Sequence, residues 1–185
     1  LDEPDPDAAL LSRVARGDAA AARLLVSGKL PRVVGLAHRM LHDRSEAEDV
    51  AQEAFVRTWR QAATWESGRA RFDTWLHLVV LNLCRDRLRR RREVTSNAVP
   101  ETADPAPDAM ATLVDAERGS AVAAAIAALP ERQREAILLV HYQDMTGAAA
   151  SQALGIGVEA LESLLARGRR TLRARLAEQE LRDDL

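Results

Sequence analysis

Apolar residues in this chain return at steps of three and four wherever they form a run, and the seven prolines fall between those runs or at their edges. That step is the period of one buried helix face; strands would need strict alternation. The clearest run is Ala47, Val50, Ala51, Ala54, Phe55, Thr58 and Trp59, with Glu46, Asp49, Gln52 and Glu53 on other faces. Ser45 and Glu48 have the spacing of a capping box just ahead of it. A second stripe, Phe72, Trp75, Leu76, Val79, Val80 and Leu83, predicts a helix over Asp73–Arg92. Shorter helices are predicted over Ala8–Arg16, Asp18–Val26 and Pro31–Leu41, the last opened by its proline. Aromatics are only 3% of a chain that is 47% hydrophobic, so the core must be aliphatic. Ala and Leu favour helix. The expected fold class is all-α.

Past residue 115 the pattern resumes. Val122, Ile126 and Leu129 predict one helix, and Pro130 opens another through Tyr142. Then come a short helix over Thr146–Leu154, a Gly155-Ile156-Gly157 turn, and a long helix from Val158 to about Glu180. A short helix, a tight glycine turn and a longer helix form the helix-turn-helix pattern. Val158, Leu161, Leu165, Leu172 and Leu176 are the expected inner face of the last helix. Between the two halves, residues 94–115 lack an apolar period and carry Pro100, Pro105 and Pro107 with Glu101, Asp104, Asp108 and Asp115. That composition predicts an acidic, flexible linker. The expected organisation is an acidic tail (1–7), a first small helical domain (8–93), the linker (94–115), a second (116–180) and a tail (181–185).

The formal net charge of −2 decides little, but its layout is informative. Acids gather in the N-terminal tail and between Asp43 and Glu53; arginines crowd Arg85–Arg92 and Arg167–Arg175. Lys29 is the one lysine. Arginine suits bidentate phosphate and base contacts. Cys84 stands alone, which leaves no disulfide framework and no cysteine-based zinc site. His38 and His42 stand at i, i+4 with no third ligand nearby, so they read as surface histidines. No apolar run of membrane-spanning length and no signal peptide appears, so a cytoplasmic protein without membrane insertion is expected. No phosphate loop, nucleophile elbow or paired-carboxylate site stands out, and neither catalysis, metal nor cofactor is expected.

Three surfaces fit nucleic acid. On the last helix Ser163, Arg167 and Arg170 stand at i, i+4 and i+7, a polar stripe able to enter a major groove. The competing reading is a solvated Arg-rich face. Asn82, Arg85 and Arg89 share one face of the earlier helix: arginine attracts phosphate and Asn can bond a base edge. A run of cations at a helix C-terminus is also favoured by the macrodipole alone. The loop Gln61–Arg71 holds Trp65, Gly68, Arg69 and Arg71, and an aromatic beside arginines can stack on an unpaired base. A tryptophan packed beneath its own loop is the commoner arrangement.

With those residues in view, a family resemblance emerges. Ser45-Glu-Ala-Glu-Asp-Val-Ala-Gln-Glu-Ala-Phe-Val-Arg-Thr-Trp59 resembles region 2.2 of extracytoplasmic-function (ECF) sigma factors. Phe72-Asp-Thr-Trp75-Leu, Asn82 and Asp86-Arg87-Leu-Arg-Arg-Arg resemble regions 2.3 and 2.4. Leu129-Pro-Glu-Arg-Gln-Arg134-Glu, Leu154-Gly155 and Arg167-Gly-Arg-Arg170-Thr-Leu-Arg resemble region 4. The resemblance implies a promoter-recognition subunit of RNA polymerase. Asp49, Gln52 and Glu53 would dock the β′ clamp helices. Trp65, Asn82, Arg85, Asp86 and Arg89 would face the −10 element, with the Gln61–Arg71 loop holding a flipped base. Ser163, Arg167 and Arg170 would meet the −35 element, and the second domain would also bind the β flap. The linker would run through the polymerase toward the RNA path, and an anti-sigma factor would control a stress-responsive chain. One segment departs from the family: where members often carry Gly-Thr-Val-(Lys/Arg)-Ser-Arg, this chain has Glu159-Ala-Leu-Glu162-Ser163-Leu164, with less attraction for phosphate. An ordinary duplex-binding repressor or activator, and a helical adaptor or anti-sigma-type scaffold, are the competing classes. The acidic face and the domain order favour the sigma reading.

Overall fold

The computed structural model describes residues 5–65, 71–97 and 121–183. Every regular element among them is helical: α1 (Ala8–Ala15), α2 (Ala19–Leu41), α3 (Arg44–Ala62), α4 (Phe72–Asn97), α5 (121–127), α6 (Glu131–Ile137, continued by a π turn over Leu138–Tyr142), α7 (Gly147–Leu154) and α8 (Val158–Asp183). The chain divides into two compact units, Leu1–Arg89 and Arg90–Leu185. The all-α class and the two helical units are as the sequence predicts.

In the first unit α1, α2 and α3 pack on one another. Leu11, Leu25, Leu36, Met40, Leu41, Phe72, Leu76 and Leu81 are fully buried. The first half of α4 is covered over a wide arc: Thr74, His77 and Cys84 are buried along with Phe72, Leu76, Val79, Val80 and Leu83 of its apolar stripe, while Trp75 is half-buried. His77 satisfies a ring nitrogen on the Asp73 carbonyl, so its burial is structural.

Two boundaries differ from the sequence reading. Pro31 does not open a helix; it lies inside α2, which runs unbroken from Ala19 to Leu41. Proline there removes a backbone hydrogen bond and costs about 3 kcal/mol. Burial on both sides of it, at Leu25, Val33, Leu36 and Met40, ties the two halves to one core and offsets that cost. Second, the cap of α3 is Asp43, whose carboxylate accepts from the Glu46 N–H at 2.9 Å, and Ser45 is already inside the helix. Asp18 caps α2 in the same way, accepting from Ala20 and Ala21.

In the second unit α6 and α7 pack on α8. Thr146 caps α7, accepting from the Ala149 N–H at 3.2 Å, and Gly155 ends it with a φ of 65° that a side chain would resist. Gly168 lets α8 approach α6 closely: a Cβ there would sit 3.1 Å from Ile137 Cγ1. Leu161 and Leu165 are buried, but Val158 is 48% exposed, against its predicted place on the inner face. The apolar period extends past the packed segment, whereas burial needs a neighbour, and among the described residues none covers Val158. The first four residues of the segment read as a linker, Val94–Asn97, are the end of α4; the rest of it, 98–115, lies outside the described residues. The segment read as a C-terminal tail likewise starts within α8.

Candidate nucleic-acid interface

The expected docking acids lie on α3, whose buried face is Ala47, Val50, Ala51, Ala54, Phe55 and Thr58. Asp49 and Gln52 are exposed on the opposite side. Glu53 is half-buried and already paired: its carboxylate lies 2.8 Å from Arg57 and 3.7 Å from Arg87 of α4. The three residues are therefore unequal. Asp49 and Gln52 are open to a partner; Glu53 ties α3 to α4.

On α4, Asn82 is exposed and its side-chain oxygen accepts from Arg85 at 2.9 Å. One turn on, Asp86 accepts from Arg89 at 3.0 Å. The four residues form one ladder of polar groups along the helix. Both arginines are oriented by neighbours on the same helix, and Asp86 neutralises Arg89, so the ladder presents a shaped polar surface more than bare charge. Trp65 belongs to a cluster with Phe72 and Trp75, with ring centroids 5.6 and 5.7 Å away in edge-on geometry. Its indole N–H is buried with no hydrogen-bond partner among the described residues. Trp65 is thus packed against the start of α4. Gly68 and Arg69 of the same loop lie outside the described residues.

On α8, Ser163, Arg167 and Arg170 are all exposed, on the side away from Leu161, Leu165 and Gly168. Arg167 donates to the Ser163 carbonyl at 3.2 Å. Among the described residues neither Arg167 nor Arg170 has a carboxylate partner. Glu159 and Glu162 are exposed at the start of the helix. Glu159, in the first turn, is also favoured by the helix dipole.

Several residues that hold these surfaces escaped the sequence reading. Arg134 is half-buried and donates to the Ala127 and Leu129 carbonyls at 2.6 and 3.1 Å, closing the end of α5. Burial pulls its pKa below the ordinary arginine value, against Glu131 and Glu135. Lys29 lies between Asp7 and Asp73, at 2.6 and 2.7 Å. Burial works against its ammonium, but the two carboxylates outweigh it and hold its pKa above lysine's ordinary value. Burial raises the Asp7 carboxyl, only partly opposed by Lys29. Its being the one lysine among many arginines was the only hint in the sequence. Among the described residues no helix is long and apolar enough to cross a membrane, and no His, Cys, Asp and Glu group could hold a metal.

Residues 25–94 match the family model Sigma-70 region 2, and residues 120–172 match Sigma-70, region 4. The ECF RNA polymerase sigma factor SigK of Mycobacterium bovis is 32% identical over 171 residues, covering 89% of this chain and 90% of SigK. The chain belongs to the ECF sigma factors. SigE of Mycolicibacterium smegmatis, another ECF RNA polymerase sigma factor, is 33% identical over 157 residues, covering 83% of this chain. This chain spans only 60% of SigE's own length. Among solved structures, that of CnrH in complex with the cytosolic domain of CnrY is similar with a TM-score of 0.70 and 26% identity, covering 93% of this sigma-family chain and 97% of CnrH.

Proposed function

We propose that this ECF sigma factor directs core RNA polymerase to specific promoters and helps open them, performing no chemistry of its own. The observation that carries the reading is the pairing of both sigma regions, in order, with exposed polar faces on α3, α4 and α8. In this reading Asp49 and Gln52 meet the β′ clamp helices, with Glu53 holding that face to α4. The ladder of Asn82, Arg85, Asp86 and Arg89, together with Trp65 at the start of α4, meets the −10 element. Ser163, Arg167 and Arg170 meet the −35 element, and the second unit also meets the β flap. The segment between α4 and α5 links the two regions through the polymerase. The expected place of action is the cytoplasm, where polymerase and promoter are. The similarity to CnrH, seen bound to another protein's cytosolic domain, supports control by an anti-sigma partner.

In vitro transcription with core polymerase, with and without the chain, tests the reading directly. Promoter-specific initiation is expected only when the chain is present. Asp49→Lys should abolish core binding, because like charges across an interface cost several kcal/mol, while an exposed site leaves folding nearly unchanged. Unaltered core affinity in that variant removes α3 from the polymerase interface. Glu53→Lys is a poorer probe, since the new cation would also face Arg57 and Arg87.

A further inference from the structure

We propose that Lys29 is a positioning residue for promoter opening: with Asp5 and Asp7 it fixes the first turn of α4 and the aromatic cluster beside it. This rests on the function proposed above. A helix start leaves backbone N–H groups unsatisfied and ordinarily takes an acceptor from the residue just before it. The residue before α4 is Arg71, whose side chain has donors only. The acceptor comes instead from Asp5, 67 residues away, whose carboxylate receives the Phe72 N–H at 2.7 Å. The other oxygen of Asp5 receives the Asp7 N–H at 3.0 Å. Asp7 and Asp73 then close on Lys29 from two sides, and the Lys29 side chain is only 17% exposed.

Three distant pieces of chain therefore meet at one ammonium: the segment before α1, the middle of α2 and the start of α4. The segment read from its composition as an acidic tail is, at residues 5–7, a strap across the start of α4. Phe72, held by the strap, is buried and touches both Trp65 and Trp75. Asn82 follows on the same unbroken helix. A shift of the first turn would therefore be passed to every α4 residue assigned to the −10 element. A pair this enclosed is costly to break from one side, because it leaves a buried charge uncompensated.

The test uses the full chain in holoenzyme with core polymerase. Lys29→Met and Lys29→Arg are compared for melting temperature, core affinity, and initiation from a fully duplex promoter and from the same promoter pre-melted at its −10 element. Lys29→Met is expected to bind core as the parent does and to open duplex about tenfold more slowly, within reach of a misplacement of about 1 Å in a preorganised site. It should initiate normally from the pre-melted template, and Lys29→Arg should restore opening. Parental opening by Lys29→Met overturns the proposal. So does a loss that tracks melting temperature equally on both templates, which is a structural role only. If Lys29→Met does not fold, Asp5→Ala removes the Phe72 acceptor and spares the ion pairs; the same two outcomes decide. Failure of the parent chain to direct initiation at all would overturn the underlying reading instead, before any variant is compared.

Discussion

The arginines of α4 and those of α8 face solvent under different electrostatic conditions. On α4, Arg85 donates to Asn82, Arg89 pairs with Asp86, and Arg87 reaches Glu53 of α3. Among the described residues, the Arg167 side chain of α8 bonds only a carbonyl of its own helix, and Arg170 has no carboxylate partner. A neutralised arginine must give up a partner to take a phosphate, so its net gain is small; an unpaired one gives up only water. Under the proposed function, the difference would leave shape and base contact to α4 and electrostatic attraction to the later turns of α8. It also locates that attraction. No Lys or Arg occurs from Gln143 to Ala166, and exposed Glu159 and Glu162 repel phosphate at the start of α8.

The sharpest test is the double variant Arg167→Ala, Arg170→Ala. Promoter binding should weaken by about 1–3 kcal/mol for each arginine that makes a full contact. The slope of log affinity against log salt should fall by about one per phosphate lost. Unchanged promoter affinity and salt slope would erase the contrast between the helices. Asn82→Ala should act differently. Its exposed side chain supports no core, so melting temperature should hold while open-complex formation falls, with little change in salt slope; normal opening would return Asn82 to the role of a surface cap for Arg85. A smaller effect is expected at Thr146. Thr146→Ala removes the α7 cap and should cost the second unit about 1 kcal/mol in denaturant unfolding. Any loss of promoter affinity in that variant should follow helix stability and leave the salt slope intact.

Much of this organisation was legible in the sequence. The three-to-four step gave the helices, because a helix face needs only its own period to be recognised. The exposed polar stripes on α3, α4 and α8 followed as the complements of those faces. What local pattern could not reach was any contact between residues far apart in the chain. Nothing near Glu53 announces Arg87, and nothing near Phe72 announces Asp5.

The sequence by itself determined the helical class, the order of the helices and which polar residues line their outer faces, because period, turn chemistry and charge act over a few residues. Only tertiary structure decided that Pro31 sits within one continuous helix, since burial on either side outweighs a lost hydrogen bond. It also decided that Val158 stays exposed, because an apolar residue is buried only where another element covers it. And it decided the environment of Lys29. An ammonium's partners depend on which carboxylates packing brings within ion-pair distance, and here they arrive from the segment before α1 and from the start of α4.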